Sequence, residues 1–211
     1  MLARDVACKP KVIAILCHPV EDSLNHSIFK NIVSELEKVS DVVKVSLYDI
    51  GFNPIMDRFE RGLYHNAEHI PNDLSGHLSE LESCDALAFV FPTWNGGPPA
   101  MLKGYFDRLF KPGVSFTIDD QGNLKRVKRL GNVRSVLVVN THGGSYLSAV
   151  LMGDYSRKIV TRWLKWSLGG SPRVYYYGIY NVNKIDEFVL KAIRRNIYRR
   201  VVKFAKRLKA G

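Results

Sequence analysis

Short apolar runs alternate with longer amphipathic runs along most of this 211-residue chain. Each apolar run has the length of a buried β-strand, and each amphipathic run repeats apolar residues every three or four positions, as a helix packed on one side does. The predicted strands are residues 12–17, 42–47, 85–91, 133–139 and 173–179, and the predicted helices are residues 25–39, 74–81, 101–110, 156–168 and 184–209. This alternation predicts an α/β fold, in which helices cover both faces of a parallel sheet.

Right-handed crossovers restrict such a chain to few topologies. We expect a five-stranded parallel sheet in the order 2-1-3-4-5, which places the carboxyl ends of strands one, three and four side by side. In open sheets of this kind, ligands bind at the carboxyl edge where the strand order reverses. The three loops that follow these strands are therefore the candidate binding site.

The loop after the third strand has the most unusual composition. It reads Phe91-Pro92-Thr93-Trp94-Asn95-Gly96-Gly97-Pro98-Pro99-Ala100. Pro99 falls where a helix begins, a position that tolerates its missing N–H, and the two glycines let the backbone approach a ligand closely. Trp94 supplies a flat apolar surface and Asn95 a group that both donates and accepts hydrogen bonds. An ordinary turn rich in proline and glycine is the alternative interpretation.

The loop after the first strand leads into a helix N-terminus. It covers residues 18–24, and either Ser23 or Asn25 is a suitable N-cap. Free N–H groups and the helix dipole favour an anion at such a position. The loop lacks the glycine-rich phosphate motifs of other nucleotide-binding folds, and an ordinary capped helix explains it equally well.

The loop after the fourth strand combines Gly143 and Gly144 with His142 and Tyr146. The glycines again allow close approach to the backbone. Together the three loops supply a phosphate clamp on one side and a flat, hydrogen-bonding slot on the other, a combination that describes a flavin mononucleotide site. A nucleotide without a flavin is the alternative that remains open.

Composition restricts the class of protein. The length suits one domain, 1–211, with irregular segments at 49–73 and 111–131. The chain has no apolar run long enough to span a membrane and no signal-peptide core near its start, so we expect a cytoplasmic protein. Its three cysteines include no Cys-x-x-Cys pair. The odd count argues against a disulfide framework and a zinc site, and no metal site is predicted.

The formal net charge is +11, and the last predicted helix supplies most of it. Between Lys191 and Lys209 there are nine Lys or Arg residues and no acidic residue. Such a helix can bind nucleic acid or anionic lipid. We favour a solvated helix face, because an apolar stripe on the same helix can pack on the domain. The stripe consists of Val189, Ile193, Ile197, Val201, Phe204 and Leu208.

Four short motifs resemble the flavodoxin-like NAD(P)H:quinone oxidoreductase family, which includes mammalian quinone reductase and bacterial modulators of drug activity. His18, Leu24 and Asn25 match the family's His-x-x-x-x-x-(Phe/Leu)-Asn signature. The other matches are Phe52-Asn53-Pro54-Ile55-Met56, the run from Phe91-Pro92 to Pro99-Ala100-Met101-Leu102-Lys103-Gly104-Tyr105, and Thr141-His142-Gly143-Gly144-Ser145. The resemblance implies a flavodoxin-like three-layer sandwich.

The resemblance also implies a flavin-dependent oxidoreductase. Reduced nicotinamide, as NADPH or NADH, would deliver a hydride to bound FMN or FAD, and a quinone or similar small acceptor would then collect it. The basic cluster at 125–129 either favours the extra phosphate of NADPH or is a solvated turn, which we prefer. A homodimer is implied as well, because family members usually complete the substrate pocket with the neighbouring subunit.

The resemblance assigns individual residues to the cofactor site. The phosphate end would be held by His18, Ser23, Leu24 and Asn25. The polar edge of the flavin ring would meet Pro92, Thr93, Trp94, Asn95 and Gly96, and its pyrimidine side would meet Thr141, His142, Gly143 and Gly144. Phe116 and Ile118 fall where the family places substrate-pocket residues, and plain core packing is their alternative role.

The candidate catalytic residues, Tyr146 and His142, depart from the family's pattern. Better-known members place a Tyr and a His after the Gly-Gly-Ser turn, where they stabilise charge on the reduced flavin. Here that segment is about three residues shorter, Met152 occupies the place of the His, and His142 can offer its own N–H from within the turn.

Asn95 stands where the family has an aromatic residue in the flavin slot, so the choice between FMN and FAD as the cofactor remains open.

Two other hypotheses belong to different functional classes. One is a flavin-binding electron carrier or regulatory module that docks on an acidic partner or nucleic acid through the basic C-terminal helix. The other is a channel-regulatory or trafficking protein that acts by oligomerising with a partner, for which the sequence offers no specific feature. The long irregular segments favour the enzyme, because a simple carrier has little use for a substrate pocket.

Overall fold

The computed structural model describes residues 9–209, and a five-stranded parallel sheet forms its centre. The strands in chain order are β1 (Lys11–Leu16), β2 (Asp41–Ser46), β3 (Ala86–Pro92), β4 (Phe116–Ile118), β5 (Leu124–Arg126), β6 (Ser135–Thr141) and β7 (Arg173–Ile179). The central sheet has the order β2-β1-β3-β6-β7, and β4 pairs with β5 in a separate hairpin. The predicted order 2-1-3-4-5 is therefore confirmed.

Helices cover both faces of the sheet, as the alternating pattern predicts. They are α1 (Leu24–Leu36), α2 (Arg58–Gly62), α3 (Asn72–Ser83), α4 (Ala100–Leu109), α5 (Tyr146–Leu151), α6 (Tyr155–Lys158), α7 (Lys165–Ser167) and α8 (Glu187–Lys209). A π-helical segment, Ile159–Leu164, joins α6 to α7, and a 3₁₀ turn, Val182–Lys184, precedes α8. One apolar cluster joins the sheet to α1 and α8, and a second joins its other face to α3, α4 and the π-helical segment.

The strand register places the three candidate loops at one edge. Leu16 of β1 pairs with Val90 of β3, and Val90 pairs with Val139 of β6. Two backbone hydrogen bonds extend the pairing into the loops. Cys17 N–H donates to the Val90 carbonyl at 2.9 Å, and Thr93 N–H donates to the Thr141 carbonyl at 2.7 Å. The backbones of all three loops therefore start from fixed positions.

The basic helix α8 packs on the domain through most of the predicted stripe. Ile197, Val201, Phe204 and Leu208 are buried beside α1, and Ile193 is half-buried. Val189 is 40% exposed, so the stripe begins later than predicted. The charged residues face outward, which agrees with a solvated face. Within residues 9–209, no helix is long and apolar enough to cross a membrane.

The segment 156–168 is helical, but the prediction of one regular α-helix there is wrong. The structure has a short α6, then six residues of π-helix, then one turn of α7. The apolar period of the sequence does not distinguish i→i+5 from i→i+4 hydrogen bonding over so short a stretch. Helix α5, on the exposed segment after residue 145, was not predicted because its side chains face water and show no buried stripe.

Candidate active site

The loop after β3 forms a tight turn whose two central residues are left-handed. Trp94 and Gly97 exchange backbone hydrogen bonds of 2.9 and 3.0 Å. Asn95 has φ +48° and Gly96 has φ +79°, as a turn of this kind requires. Asn and Gly are the residues that adopt these angles most readily. The turn leaves the N–H groups of Asn95 and Gly96 without an acceptor among residues 9–209.

The N-terminus of α1 adds two further donors. Ser23 is the N-cap, and its Oγ accepts a hydrogen bond from the His26 N–H at 3.2 Å. The next two N–H groups, of Leu24 and Asn25, have no acceptor within the described part of the chain. Unpaired N–H groups and the helix dipole make this a suitable position for a phosphate.

Aromatic rings separate the α1 N-terminus from the β3 loop. The ring of His18 contacts both His26 and Trp94 edge-on, with ring centroids 6.1 and 6.0 Å apart. Burial lowers the pKa of His18, so its ring is neutral at pH 7. Trp94 is 41% exposed and presents part of its indole to solvent. The three rings therefore form an aromatic wall beside the phosphate position.

The loop after β6 contributes the third pair of open donors. The His142 N–H donates to the Ile179 carbonyl at 2.7 Å, but the N–H groups of Gly143 and Gly144 have no acceptor in the described structure. Ser145 then caps α5 by accepting from the Ser148 N–H at 3.1 Å. Both glycines are exposed, so their N–H groups are open to a ligand.

A buried polar network lies beneath the loops and fixes the direction of its own hydrogen bonds. Asn140 Nδ2 donates to the Phe91 carbonyl at 3.0 Å, so its Oδ1 faces the network. That oxygen accepts from Tyr176 Oη at 2.8 Å and from Thr93 Oγ1 at 3.1 Å. Thr93 has one proton, so Ser156 Oγ, 3.0 Å away, must donate to it.

The same network determines the tautomer of His142. Its Nε2 lies 3.1 Å from Tyr176 Oη, whose proton points to Asn140. Nε2 must therefore carry the ring proton, and Nδ1 is left as the acceptor. Burial lowers the pKa of His142 and raises that of Tyr176, so both are neutral at pH 7. The imidazole stacks on Tyr180 with ring centroids 4.5 Å apart.

A cavity of about 200 Å³ opens between the β3 and β6 loops. Its lining includes Thr93, Gly96, Gly143, Gly144, Met152 and Asp154. Pockets for whole drug-sized ligands are larger, about 300 to 1,000 Å³. The cavity is therefore large enough for one end of a drug-sized ligand and too small for the whole of it.

The structure places most of the predicted cofactor residues at one edge of the sheet, some with open backbone N–H groups and others with buried side chains. Gly96 of the Trp94–Gly97 turn, Gly143 and Gly144 line the cavity. Asn25 and Thr141 are buried and hydrogen-bond each other, with Asn25 Nδ2 donating to Thr141 Oγ1 at 3.1 Å. Pro92 is buried at the end of β3.

The predicted catalytic and substrate residues are more scattered. Tyr146 is 54% exposed at the start of α5 and contacts Tyr180 edge-on. Phe116 lines a second, apolar groove of about 790 Å³ beside α4 and the π-helical segment. Ile118 is exposed on the β4–β5 hairpin and does not line that groove. The first cavity and the groove approach each other at Tyr155, which lies against Gly97.

Four residues of the site were not predicted from sequence: Asp154, Ser156, Tyr176 and Tyr180. Ser156 was assigned only to a helix, and Tyr176 only to a strand. Tyr180 follows β7, at the same edge of the sheet as the three loops. The signal that was available is Gly153-Asp154 immediately before a predicted helix, a pair typical of a loop and N-cap.

Comparison with known proteins places this geometry in a family. Over 173 residues the chain is 27% identical to rat NAD(P)H dehydrogenase [quinone] 1, an alignment that covers 72% of this chain and 61% of the relative. It is 29% identical to FMN-dependent NADH:quinone oxidoreductase 1 of Bacillus licheniformis over 130 residues, 57% of this chain and 61% of the relative. The chain thus spans about three fifths of the length of these curated relatives.

A solved structure agrees in fold. The NAD(P)H:quinone oxidoreductase from Methanothermobacter marburgensis superposes with a TM-score of 0.81 at 19% identity, covering 93% of this chain and 98% of that one. The family model described as a flavodoxin-like fold matches residues 10–169, well over half of the chain. The chain therefore belongs to the flavodoxin-like family that this model describes.

Proposed function

We propose that this chain is a flavin-dependent NAD(P)H oxidoreductase that passes reducing equivalents to a quinone or a similar small acceptor. The observation that carries the proposal is a set of six backbone N–H groups on three loops, none with an acceptor among residues 9–209. They belong to Leu24, Asn25, Asn95, Gly96, Gly143 and Gly144. The names of the rat and Bacillus relatives support the same reaction class.

The residues present fit FMN. The α1 N-terminus offers unpaired N–H groups for the phosphate, and the Gly143 and Gly144 N–H groups suit the carbonyl oxygens of the ring. The cavity accommodates the pyrimidine end of a flavin rather than the whole group. Bound flavin would supply the two-electron chemistry, accepting a hydride from reduced nicotinamide and passing it on. The Bacillus relative's name supports FMN as the flavin.

The protein's part in this reaction is binding, orientation and control of water. Trp94 offers its exposed indole as a surface for a flat ring, and the fixed turn behind it holds the Asn95 and Gly96 N–H groups in place. The Met152 side chain extends over the same turn. A Cβ added to Gly96 would lie 3.5 Å from the Cε of Met152. These two side chains border the position of the ring and exclude water from it.

We propose Tyr146 as the donor of the proton that a quinone takes up together with the hydride, and His142 as the residue that orients the stacked rings beside Tyr146. Tyr146 has an exposed side chain and directly follows Ser145, which lines the cavity, whereas the His142 Nε2 proton is engaged by Tyr176. His142 acts through its stacking on Tyr180, which in turn meets Tyr146 edge-on. This arrangement differs from the Tyr–His pair implied by the resemblance, in which both side chains meet the flavin.

We further propose a homodimer in which the apolar groove near Phe116 is covered by the second copy. Two of the large apolar side chains that line it are exposed, Leu124 of the hairpin and Tyr155 of α6, and Ile118 is exposed on the same hairpin. Exposed apolar patches of this kind mark interaction surfaces.

A cytoplasmic location is proposed because Cys17 and Cys84 are free buried thiols and the hydride donor is an intracellular metabolite.

An absorption spectrum of the purified protein, with FMN titration and anaerobic addition of NADPH or NADH, tests the function. Bound flavin that bleaches with either donor and recovers its colour with a quinone supports the proposed function.

Gly96→Ala is expected to weaken FMN binding, because it strains the turn that presents the open N–H groups. Gly122→Ala is the matched control, since Gly122 has φ +81° on the exposed hairpin with open space around it. A protein that takes up neither FMN nor FAD overturns the proposal.

A further inference from the structure

Asp154 has a conformation and an environment that the fold itself does not explain. It precedes α6 with φ +46° and ψ +50°, in the left-handed region, and its side chain makes no capping hydrogen bond. The residue is 8% exposed, and it lines the cavity between the β3 and β6 loops. A buried aspartate that does not cap its helix needs another partner.

The carboxyl group of Asp154 has unused acceptor capacity. Its Oδ1 is buried and has no hydrogen-bond partner among the described residues. Its Oδ2 lies 3.9 Å from Arg157 Nη1, too far for a hydrogen bond. An unsatisfied buried acceptor costs about 1–3 kcal/mol, and more when it is charged. A buried unsatisfied group in a native structure requires an explanation, and a donor supplied by a ligand is one.

Hydrogen-bond donors lie near this carboxyl acceptor in the cavity wall. The hydroxyl protons of Thr93 and Ser156 are directed into the buried network and are not offered to a ligand. The N–H groups of Gly143 and Gly144 are unpaired donors. The wall therefore presents backbone donors next to one buried carboxyl acceptor. A cyclic imide, with an N–H between two carbonyl groups, matches this pattern.

We propose that Asp154 is a cofactor-recognition residue whose carboxyl group accepts a hydrogen bond from the imide N–H of the bound flavin. This inference rests on the proposed function, since it takes the flavin as the ligand. It adds a side-chain acceptor to a set of cofactor-binding hydrogen-bond groups that are otherwise backbone donors. It also accounts for the left-handed backbone at Asp154, which turns the carboxyl group toward the cavity rather than toward the α6 N–H groups.

The test compares binding of FMN with binding of N3-methyl-FMN, which lacks the imide proton. The dissociation constant of each is measured by fluorescence quenching for the wild type, Asp154→Asn and Asp154→Gly. Asn and Gly both tolerate the left-handed backbone, so neither substitution adds strain. Asn181→Gly is the matched control, because Asn181 has φ +56° and does not line the cavity. Asp120→Asn controls for the loss of an exposed carboxylate.

The ratio of the two dissociation constants is the readout, since a purely structural defect would weaken both ligands alike. In the wild type, methylation should weaken binding by about tenfold to a hundredfold, the value of a hydrogen bond to a charged group. The ratio should fall in Asp154→Asn and approach 1 in Asp154→Gly, and both controls should keep the wild-type ratio. An unchanged ratio in Asp154→Gly overturns the role of Asp154 and leaves the flavin site standing. Failure of the wild type to bind FMN overturns the proposed function itself.

Discussion

Asn25 and Thr141 form a buried pair that joins the N-terminus of α1 to the end of β6. Asn25 Nδ2 donates to Thr141 Oγ1 at 3.1 Å, and the Thr141 hydroxyl lies 3.3 Å from Asn25 Oδ1. Both residues are almost fully buried. Their side chains fix the distance between the proposed phosphate position and the Gly143-Gly144 donors, so they act on the ligand through the loops.

Removing both members of this pair should cost less than the sum of the costs of removing each one alone. Asn25→Ala leaves a buried threonine hydroxyl unsatisfied, and we expect a loss of about 1–3 kcal/mol in the free energy of unfolding. The double variant Asn25→Ala/Thr141→Val should lose less than the sum of the single changes. Urea denaturation of the four proteins measures this coupling. Strict additivity would show that the two side chains do not depend on each other.

The sequence predicted the strands and their order because each strand is a short apolar run, and short runs between helices have few possible connections. It also predicted that the three loops lie together, since parallel strands that are neighbours in the sheet end at the same edge. It did not predict Asp154 or Tyr176. Their roles depend on tertiary contacts, namely an unpartnered oxygen and a hydroxyl directed at Asn140, that no local pattern reports.

Two helical glycines should respond to alanine with opposite signs. A Cβ on Gly104 in α4 would lie 2.2 Å from the Pro54 carbonyl oxygen, so Gly104→Ala must displace the 49–73 segment. We expect a loss of more than about 2 kcal/mol. Gly76 in α3 has nothing within 4 Å of such a Cβ, and Gly76→Ala should stabilise by about 0.5–1 kcal/mol. Thermal unfolding of both variants checks this, and destabilisation by Gly76→Ala would be contrary to it.

Among charged residues outside the cavity, Arg108 should lose the most folding stability when it is replaced. Its side chain is 4% exposed, donates to the carboxylates of Glu60 and Asp73, and reaches the Asn53 carbonyl at 2.7 Å. Replacing it with Met leaves the buried Glu60 carboxylate unpaired, and we expect a loss of about 3–5 kcal/mol. Adding Glu60→Gln should restore part of that loss, because the uncompensated charge is removed. Urea denaturation tests both variants, with the exposed Arg58→Met as control. A loss below about 1 kcal/mol for Arg108→Met would contradict the assignment.

Mild acid should destabilise the fold partly through His142. Burial lowers its pKa below the usual 6.5, and the carboxyl group of Asp154 only partly opposes this effect. Below pH 6.5 the unfolded chain therefore binds more protons than the folded one, and the free energy of unfolding falls as the pH decreases through that value. Burial lowers the pKa of His18 and of His77 as well, so these residues contribute with the same sign.

The contribution of His142 can be separated with His142→Gln, whose side-chain amide can still donate to Tyr176. The wild type should lose stability between pH 7.5 and pH 5.5, and this variant should lose less, since one proton-binding site of the unfolded state is gone. His65→Gln is the control, because His65 is exposed and lies outside the network. Urea denaturation at the two pH values measures each difference. If His142→Gln and His65→Gln show the same pH dependence as the wild type, the imidazole of His142 is not held neutral by the fold.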